Sequence, residues 1–347
     1  MAKAIALLSG GLDSTLAAAI VKKQGVEVVG LTCPHPFADS REGAASACRQ
    51  IGIPLETDDL GGEFFSLLDA PKHGFGRNLN PCIDCKIMMM RRAREKMAAW
   101  GASFLISGEV LGQRPKSQFR DALQTIERDA GVEGILVRPL SAKLLPPTIP
   151  EKEGVLRRDD LFDLSGRRRD RQIALARVFG IEEYEAPAGG CLLTEEKFCA
   201  RLHDLIGRGV LTLDDVVLLK IGRHFRLSPG FKLAVGRNEG ENERLLRIAR
   251  PGDVIFSPEV RKGPDAVGRG RADEGLLLLA ARIIARYCTV PEDAVTITYR
   301  VLPDGARAAT PDGAPIAVTA EKLPQSLIDS LRIPSESKRG SRGRKTG

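Results

Sequence analysis

With 347 residues, 43% of them hydrophobic, the chain is long and apolar enough to bury the cores of two domains, which excludes a disordered or fibrous class. The formal charge of +7 favours an anionic partner, and seven cysteines scattered over this length read as reduced thiols for metal binding or chemistry rather than as a disulfide framework. No apolar run reaches a membrane-spanning length and the first residues lack a charged-then-apolar leader, so a cytoplasmic protein without a membrane partner is expected.

The run Ala4 to Leu8 predicts a buried strand, Ser9-Gly10-Gly11-Leu12-Asp13-Ser14 a tight loop, and the residues from Thr15 to about Gln24 a helix. Adjacent glycines let a backbone approach an anion, and Ser9, Ser14 and the amides of the new helix can donate to phosphate oxygens. A carboxylate is repelled by phosphates unless a cation sits between them, so Asp13 reads as a magnesium ligand or as the helix cap. The loop has neither the Gly-Lys-Ser/Thr ending of one nucleotide motif nor the spaced glycines of another.

Val26 to Thr32 predicts a second strand, Gly43 to Gln50 a helix, Lys86 to Trp100 a longer helix and Phe104 to Ser107 a third buried strand. Such alternation makes the fold class α/β, with a doubly wound parallel sheet, and places Ser9, Leu31, Thr32 and Gly108 on the ligand-binding rim at the strand ends. Arg91, Arg92 and Arg94 form one basic patch and Arg157, Arg158, Arg167, Arg168, Arg169 and Arg171 another. Both suit a phosphodiester backbone, the alternative being solvated helix faces. Arg114 and Lys116, beside the rim, are candidates for phosphate contacts, the alternative being a surface loop. His35, His73, His203 and His224 stand in no triad spacing and read as structural, and Cys33, Cys48 and Cys288 as small buried groups.

Proline-rich Leu145 to Pro150 interrupts the pattern, and a new one begins near Leu213, with a strand over Phe231 to Val235, a helix over Glu239 to Ala249 and another from Leu276 to Tyr287. The expected organisation is a nucleotide-binding domain over 1–185, a linker over 186–212, a smaller α+β domain over 213–325 and a basic, disordered tail over 326–347.

Asn80-Pro81-Cys82-Ile83-Asp84-Cys85-Lys86 precedes a helix, where the helix N-terminus and nearby cations stabilise a thiolate. Cys191, in a glycine turn, can join the same rim. A zinc site would need Cys199 or His203 as a fourth ligand, a redox dithiol would need only Cys82 and Cys85, and three cysteines could hold a 4Fe-4S cluster with one open iron. Spacing alone leaves these three open.

Ser9-Gly10-Gly11-Leu12-Asp13-Ser14 resembles the loop of the PP-loop ATP pyrophosphatases, whose fold is adenine nucleotide alpha hydrolase-like and whose members adenylate a carbonyl oxygen. The order Asn80-Pro81-Cys82-x-x-Cys85, Leu105 to Glu109, then Gly190-Cys191 is similar to tRNA thiolation enzymes of the MnmA and ThiI type. That resemblance implies ATP, with Leu31 and Thr32 meeting the adenine through their backbone. It also implies a catalytic set of Asp13, Cys85 and Cys191, tRNA as substrate, and a persulfide protein or inorganic sulfide as sulfur donor, with a homodimer allowed. An aspartate stands at the position of Cys82 in cluster-independent members, so Cys82, Cys85 and Cys191 together imply the iron-sulfur branch. Glu109 to Gln118 departs from the Thr-Gly-His-Tyr stretch of the 2-thiouridylases, which leaves 2-thiouridine and 4-thiouridine both open. Phe231 to Glu243 and Arg250 to Ile255 resemble the NFACT-R module of RNA-binding and ribosome-linked proteins, with Ser257-Pro258 in place of its histidine and Arg237, Arg244, Arg247 and Arg250 as phosphate contacts. ATP-dependent tRNA uridine thiolation is the expected function; the alternatives are a PP-loop ligase or amidotransferase with a zinc clasp, and an RNA- or ribosome-binding adaptor.

Overall fold

The computed structural model describes residues 2–185, 190–209, 211–260, 262–303 and 314–333. The chain divides into two compact units, residues 1–195 and 196–347. The first runs β1 (Lys3–Leu7), α1 (Leu12–Lys23), β2 (Glu27–Thr32), α2 (Arg41–Ile51), β3 (Leu55–Thr57), α3 (Ser66–Asp69), α4 (Cys82–Trp100), β4 (Phe104–Ser107), α5 (Arg120–Ala130), β5 (Leu136–Val137), α6 (Ile149–Lys152) and α7 (Asp170–Val178).

The five strands form a parallel sheet in the order β3-β2-β1-β4-β5. Ala4, Ile5 and Ala6 of β1 and all of β4 are buried, as expected for parallel strands covered on both faces. Strand order reverses beside β1, which opens a crevice between the carboxyl ends of β1 and β4, where open sheets of this kind seat ligands. The alanine-rich α1 buries Leu12, Leu16, Ala17, Ala18 and Val21 with no exposed surface, so the loop before it is mounted on a rigid element.

Several boundaries differ from the sequence expectation. α4 starts at Cys82 rather than Lys86, because Pro81 takes the N-cap and its carbonyl accepts from the Cys85 amide at 2.9 Å. Helix α5 carries a buried stripe of Ala122, Leu123, Ile126 and Ala130, a helical spacing that the expectation left out. The first unit extends to Glu195 and takes in Cys191, whereas α8 (Glu196–His203), inside the expected linker, belongs to the second unit.

That second unit continues with α9 (Leu213–Leu219), β6 (Arg223–Ser228), β7 (Phe231–Val235), α10 (Glu239–Ile248), β8 (Val254–Pro258), β9 (Ala266–Gly270), α11 (Glu274–Tyr287), β10 (Ala294–Val301), β11 (Ile316–Glu321), α12 (Gln325–Leu331) and β12 (Arg332–Ile333). Its antiparallel sheet has the order β11-β10-β8-β9-β7-β6-β12 and packs on α11 through Ala280, Ala281, Ile283 and Ile284. Residues 326–333, inside the stretch assigned to the tail, are ordered: Ile328 is buried and Ile333 pairs with His224. The basic remainder, Ser335 to Gly347, and Ala186 to Gly189 lie outside the described residues.

Gly108 sets how close β4 comes to α1. A Cβ there would collide with the backbone of Ser14 and Asp13, whereas Gly154, at positive φ, faces open space. Gly108→Ala is expected to cost about 1–3 kcal/mol through overpacking, and Gly154→Ala about 1 kcal/mol from backbone conformation alone. Denaturant midpoints of the two variants check the difference; equal shifts would contradict it.

Candidate active site

Gly11 caps α1 without any side-chain hydrogen bond, so the first-turn amides point free donors into the crevice and the positive helix end is unscreened. Gly10 adopts φ +78°, a conformation that favours glycine, and a Cβ there would fall 2.5 Å from the backbone of Gly43 in α2. The loop is held from within: Ser14 Oγ donates to the Gly11 carbonyl at 2.9 Å and stands 3.4 Å from the exposed Ser9 hydroxyl. Chain returning at Glu185 donates its amide to the Gly10 carbonyl at 3.2 Å.

Asp13 is not the cap, because Gly11 holds that position. Its Oδ2 accepts from Gln113 Nε2 at 2.7 Å and lies 3.7 Å from the Arg169 guanidinium. Its Oδ1 is buried without a hydrogen-bond partner. That bare oxygen beside a phosphate seat fits magnesium, which binds through one or two carboxylates together with substrate phosphates. Leu31 and Thr32 are fully buried in β2, their carbonyls accepting from the Leu8 and Asp58 amides at 2.9 Å, so both are committed to the sheet.

The thiols gather near the same strand ends. Cys82 and Cys85 lie in the first turn of α4. Cys191 is carried in by the Leu192 amide, which donates to the Phe37 carbonyl at 2.9 Å, and by Asn78 Nδ2, which donates to the Thr194 carbonyl at 2.9 Å. Burial raises the Cys85 thiol well above its ordinary value, and the nearby Cys191 and Cys82 raise it further against the pull of Lys86. Burial likewise raises Cys82, opposed by Lys86, Arg114 and Lys116. An activated thiolate was expected from the helix N-terminus and Lys86; the direction is the reverse, because desolvation outweighs the pull of Lys86, whose ammonium also pairs with Glu109. Three thiols are the donors a cluster takes. In this arrangement they do not fit a formed seat for one, since among the described residues no three His, Cys, Asp or Glu side chains converge as a metal-holding group.

Glu109 is the residue the sequence passed over. It accepts from Lys86 through Oε1 and from the buried Arg138 Nε at 2.9 Å through Oε2, and Arg138 also pairs with Glu127 of α5. Burial alone would raise its pKa; the two cations outweigh it and bring the carboxyl down to about 2.

Much of the basic surface expected for nucleic acid is engaged inside the fold. Arg91 donates to the Asp129 carbonyl, Arg92 pairs with Glu63, and Arg158 binds Glu151 and the Ala142 and Leu145 carbonyls. Lys116 donates to the Phe75 carbonyl rather than lining the glycine loop, and Arg114 is exposed. In the second unit Arg250 pairs with Asp215, and Arg237 donates to the Gly222 carbonyl, whereas Arg244 and Arg247 are exposed on α10. His224 is buried in β6, and His73 bonds Asp129 at 3.0 Å.

Two outcomes are expected. Glu109→Ala leaves Lys86 unpaired and the buried Arg138 with Glu127 alone, and should cost about 3–5 kcal/mol; because the folded pKa is depressed, the contribution is present above the unfolded value of 4.5 and lost as pH falls toward about 2. Chemical unfolding of the variant across that range checks it. Cys85, its pKa raised, should alkylate more slowly at neutral pH than a free cysteine, the rate rising roughly tenfold per pH unit; peptide mass spectrometry reads the rate, and labelling as fast as the free amino acid would contradict the burial argument.

Residues 2–118 match the tRNA methyl transferase HUP domain family, and residues 222–311 match the NFACT protein RNA binding domain family. The tRNA-specific 2-thiouridylase MnmA of Methylorubrum populi is 27% identical over 326 residues, covering 84% of this chain and 81% of its own. A probable tRNA sulfurtransferase of Methanosarcina mazei is 37% identical over 124 residues, 32% of this chain and 29% of its own. A 4-thiouridine synthetase solved with RNA and ATP aligns with 52% of each chain at 20% identity and a TM-score of 0.32. The chain thus joins a HUP domain similar to those of the tRNA thiolation enzymes to an NFACT-like RNA-binding domain.

Proposed function

We propose that this chain is an ATP-dependent tRNA thiolation enzyme. The observation that carries the reading is an uncapped helix start with a bare Asp13 oxygen in the same unit as a set of thiols, Cys82 and Cys191 near Cys85, beside the Lys86 that pairs with Glu109. Adenylation and sulfur transfer need both chemistries within reach of one base.

The uridine carbonyl oxygen attacks the α-phosphorus of ATP, and the bond to pyrophosphate breaks. The amides of Leu12, Asp13 and Ser14, with the Ser9 hydroxyl, receive the charge that develops on the leaving group. Magnesium, when bound, would screen the phosphates, and Asp13 is the residue that would hold it. A sulfur nucleophile then attacks the activated carbon, and AMP departs with the former carbonyl oxygen. Cys85 and Cys191 are the reacting pair, with Cys82 beside them: one takes the outer sulfur of a persulfide protein, that sulfur bonds to the activated carbon as AMP leaves, and the other thiol attacks the inner sulfur, which frees the thiolated base and leaves a disulfide that an external dithiol reduces. Burial raises the Cys85 and Cys82 thiols, so the outer sulfur of a delivered persulfide is the stronger nucleophile; inorganic sulfide as donor would attack the activated carbon directly and leave no disulfide. The NFACT-like unit, with Arg244 and Arg247 exposed, contributes binding to the RNA backbone.

Nucleoside mass spectrometry of tRNA from cells lacking the chain should show loss of one thionucleoside, restored by the wild type but not by Asp13→Asn, which should lower RNA-dependent pyrophosphate release by about 100-fold or more. An unchanged thionucleoside profile would sink the proposal. Anaerobic purification with iron and sulfide analysis decides the form of the thiol set: iron in stoichiometric amount would replace a persulfide by the three-cysteine 4Fe-4S cluster, and a colourless protein with one zinc would favour a ligase or amidotransferase.

A further inference from the structure

The arginine stretch before α7 divides into two kinds of residue. Arg167 and Arg168 are exposed, Arg168 lying 3.2 Å from Asp170, and the exposed Arg171 lies 2.7 Å from Asp163. Arg169 turns the other way. It is the N-cap residue of α7, only 17% of its side chain is exposed, and its guanidinium reaches to 3.7 Å from Asp13 Oδ2. Its Nε is buried and has no hydrogen-bond partner. Asp13 Oδ1, across the same contact, is equally bare.

A guanidinium carries five donors in a planar fork, and burying one of them unused costs free energy that an arriving acceptor recovers. The contact with Asp13 is too long for a direct hydrogen bond, so it neutralises charge without satisfying the fork. The carboxylate itself is anchored elsewhere, by Gln113, which in turn accepts from Gln172 of α7 at 3.2 Å. One helix start therefore positions both the arginine and the partner of the aspartate. The missing acceptor is of phosphate geometry, since two adjacent oxygens match the fork and the seat already offers helix amides to the same anion.

We propose that Arg169 is the pyrophosphate-binding residue of this site: its guanidinium, held beside Asp13 with a donor unused, takes the terminal phosphates of ATP. The inference rests on the ATP reading above. It removes Arg169 from the RNA-binding surface to which its neighbours Arg167 and Arg168 are suited.

The test is calorimetric binding of inorganic pyrophosphate to the full chain, with and without magnesium, alongside tRNA binding. Arg169→Ala is expected to weaken pyrophosphate binding by about tenfold or more, and Arg169→Lys, which keeps the charge but not the fork, by an intermediate factor. Without magnesium, Asp13→Asn should bind pyrophosphate at least as tightly as the wild type, because it removes both the resting partner of Arg169 and a repulsive charge. Arg168→Ala should match the wild type in pyrophosphate binding, and tRNA affinity of Arg169→Ala should stay within about twofold. Should Arg169→Ala fail to fold, the lysine variant carries the comparison, and wild-type affinity in it overturns the fork. Wild-type pyrophosphate affinity in Arg169→Ala, or a loss confined to tRNA binding, overturns the inference while leaving ATP use intact. If the wild type binds neither ATP nor pyrophosphate, the ATP reading falls and this inference with it.

Discussion

The buried carboxylate of Glu109 is the point on which the first unit's site depends. It follows Gly108, whose lack of a side chain lets β4 close on the start of α1, and it reaches Lys86 in α4 and Arg138 beyond β5. Arg138 extends the chain of charges to Glu127 in α5. Four elements that converge on one rim are thereby fixed relative to one another. The free energy of such a pair is small once desolvation is counted, but removal of one partner is costly, so its main effect is on geometry rather than net stability. The thiols answer to burial rather than to this pairing: desolvation raises Cys85, and Lys86 pulls against it even while paired with the same carboxylate.

What was legible in the sequence was contiguous. Ser9 to Ser14 carries a strand end, two glycines and a helix start within a few residues, and the buried runs of β1, β2 and β4 betray a parallel sheet because both of its faces are covered. Strand Phe231–Val235 of the second unit was readable for a similar reason, being buried throughout. What escaped depends on partners distant in the chain. Lys86 beside Cys85 promises a reactive thiol only while the burial of that thiol, and its neighbour Cys191 far along the chain, are unknown. The stripe on α5 was present in the sequence, but its charged surface residues obscured the spacing. The boundary near residue 195 depends on contacts at Phe37 and Asn78 that no local pattern announces.

Charge in this protein is mostly architectural. In the second unit Arg269 lies between Asp253 and Asp215, with Asp253 also accepting from the Arg250 amide, so a run that reads as basic is held by carboxylates. Lys232 goes further: buried in β7 with no hydrogen-bond partner for its Nζ, it has its pKa lowered by burial to about 7 and lies 3.8 Å from Asp204. A net charge of +7 is therefore a poor measure of how much positive surface is offered to RNA. The exposed Arg244 and Arg247 on α10, and Arg167 and Arg168 before α7, meet the requirement of a solvent-facing cation better than the larger clusters do.

The two bare atoms at the glycine loop point to the same conclusion from the side of energetics. A protein that only bound RNA would gain nothing from holding Asp13 Oδ1 and Arg169 Nε dry and unpaired, since each carries a desolvation penalty with no return. Unpaired groups of opposite sign on either side of an uncapped helix start are, however, what an anion with an accompanying cation requires: the cation meets the carboxylate, the anion meets the guanidinium and amides, and the two protein charges neutralise each other until then. The ordering of α1 through Gly108 and of α7 through Gln172 and Gln113 means that neither group has to be assembled when the ligand arrives. That preorganisation is the property a site needs in order to stabilise the charge released on a departing pyrophosphate.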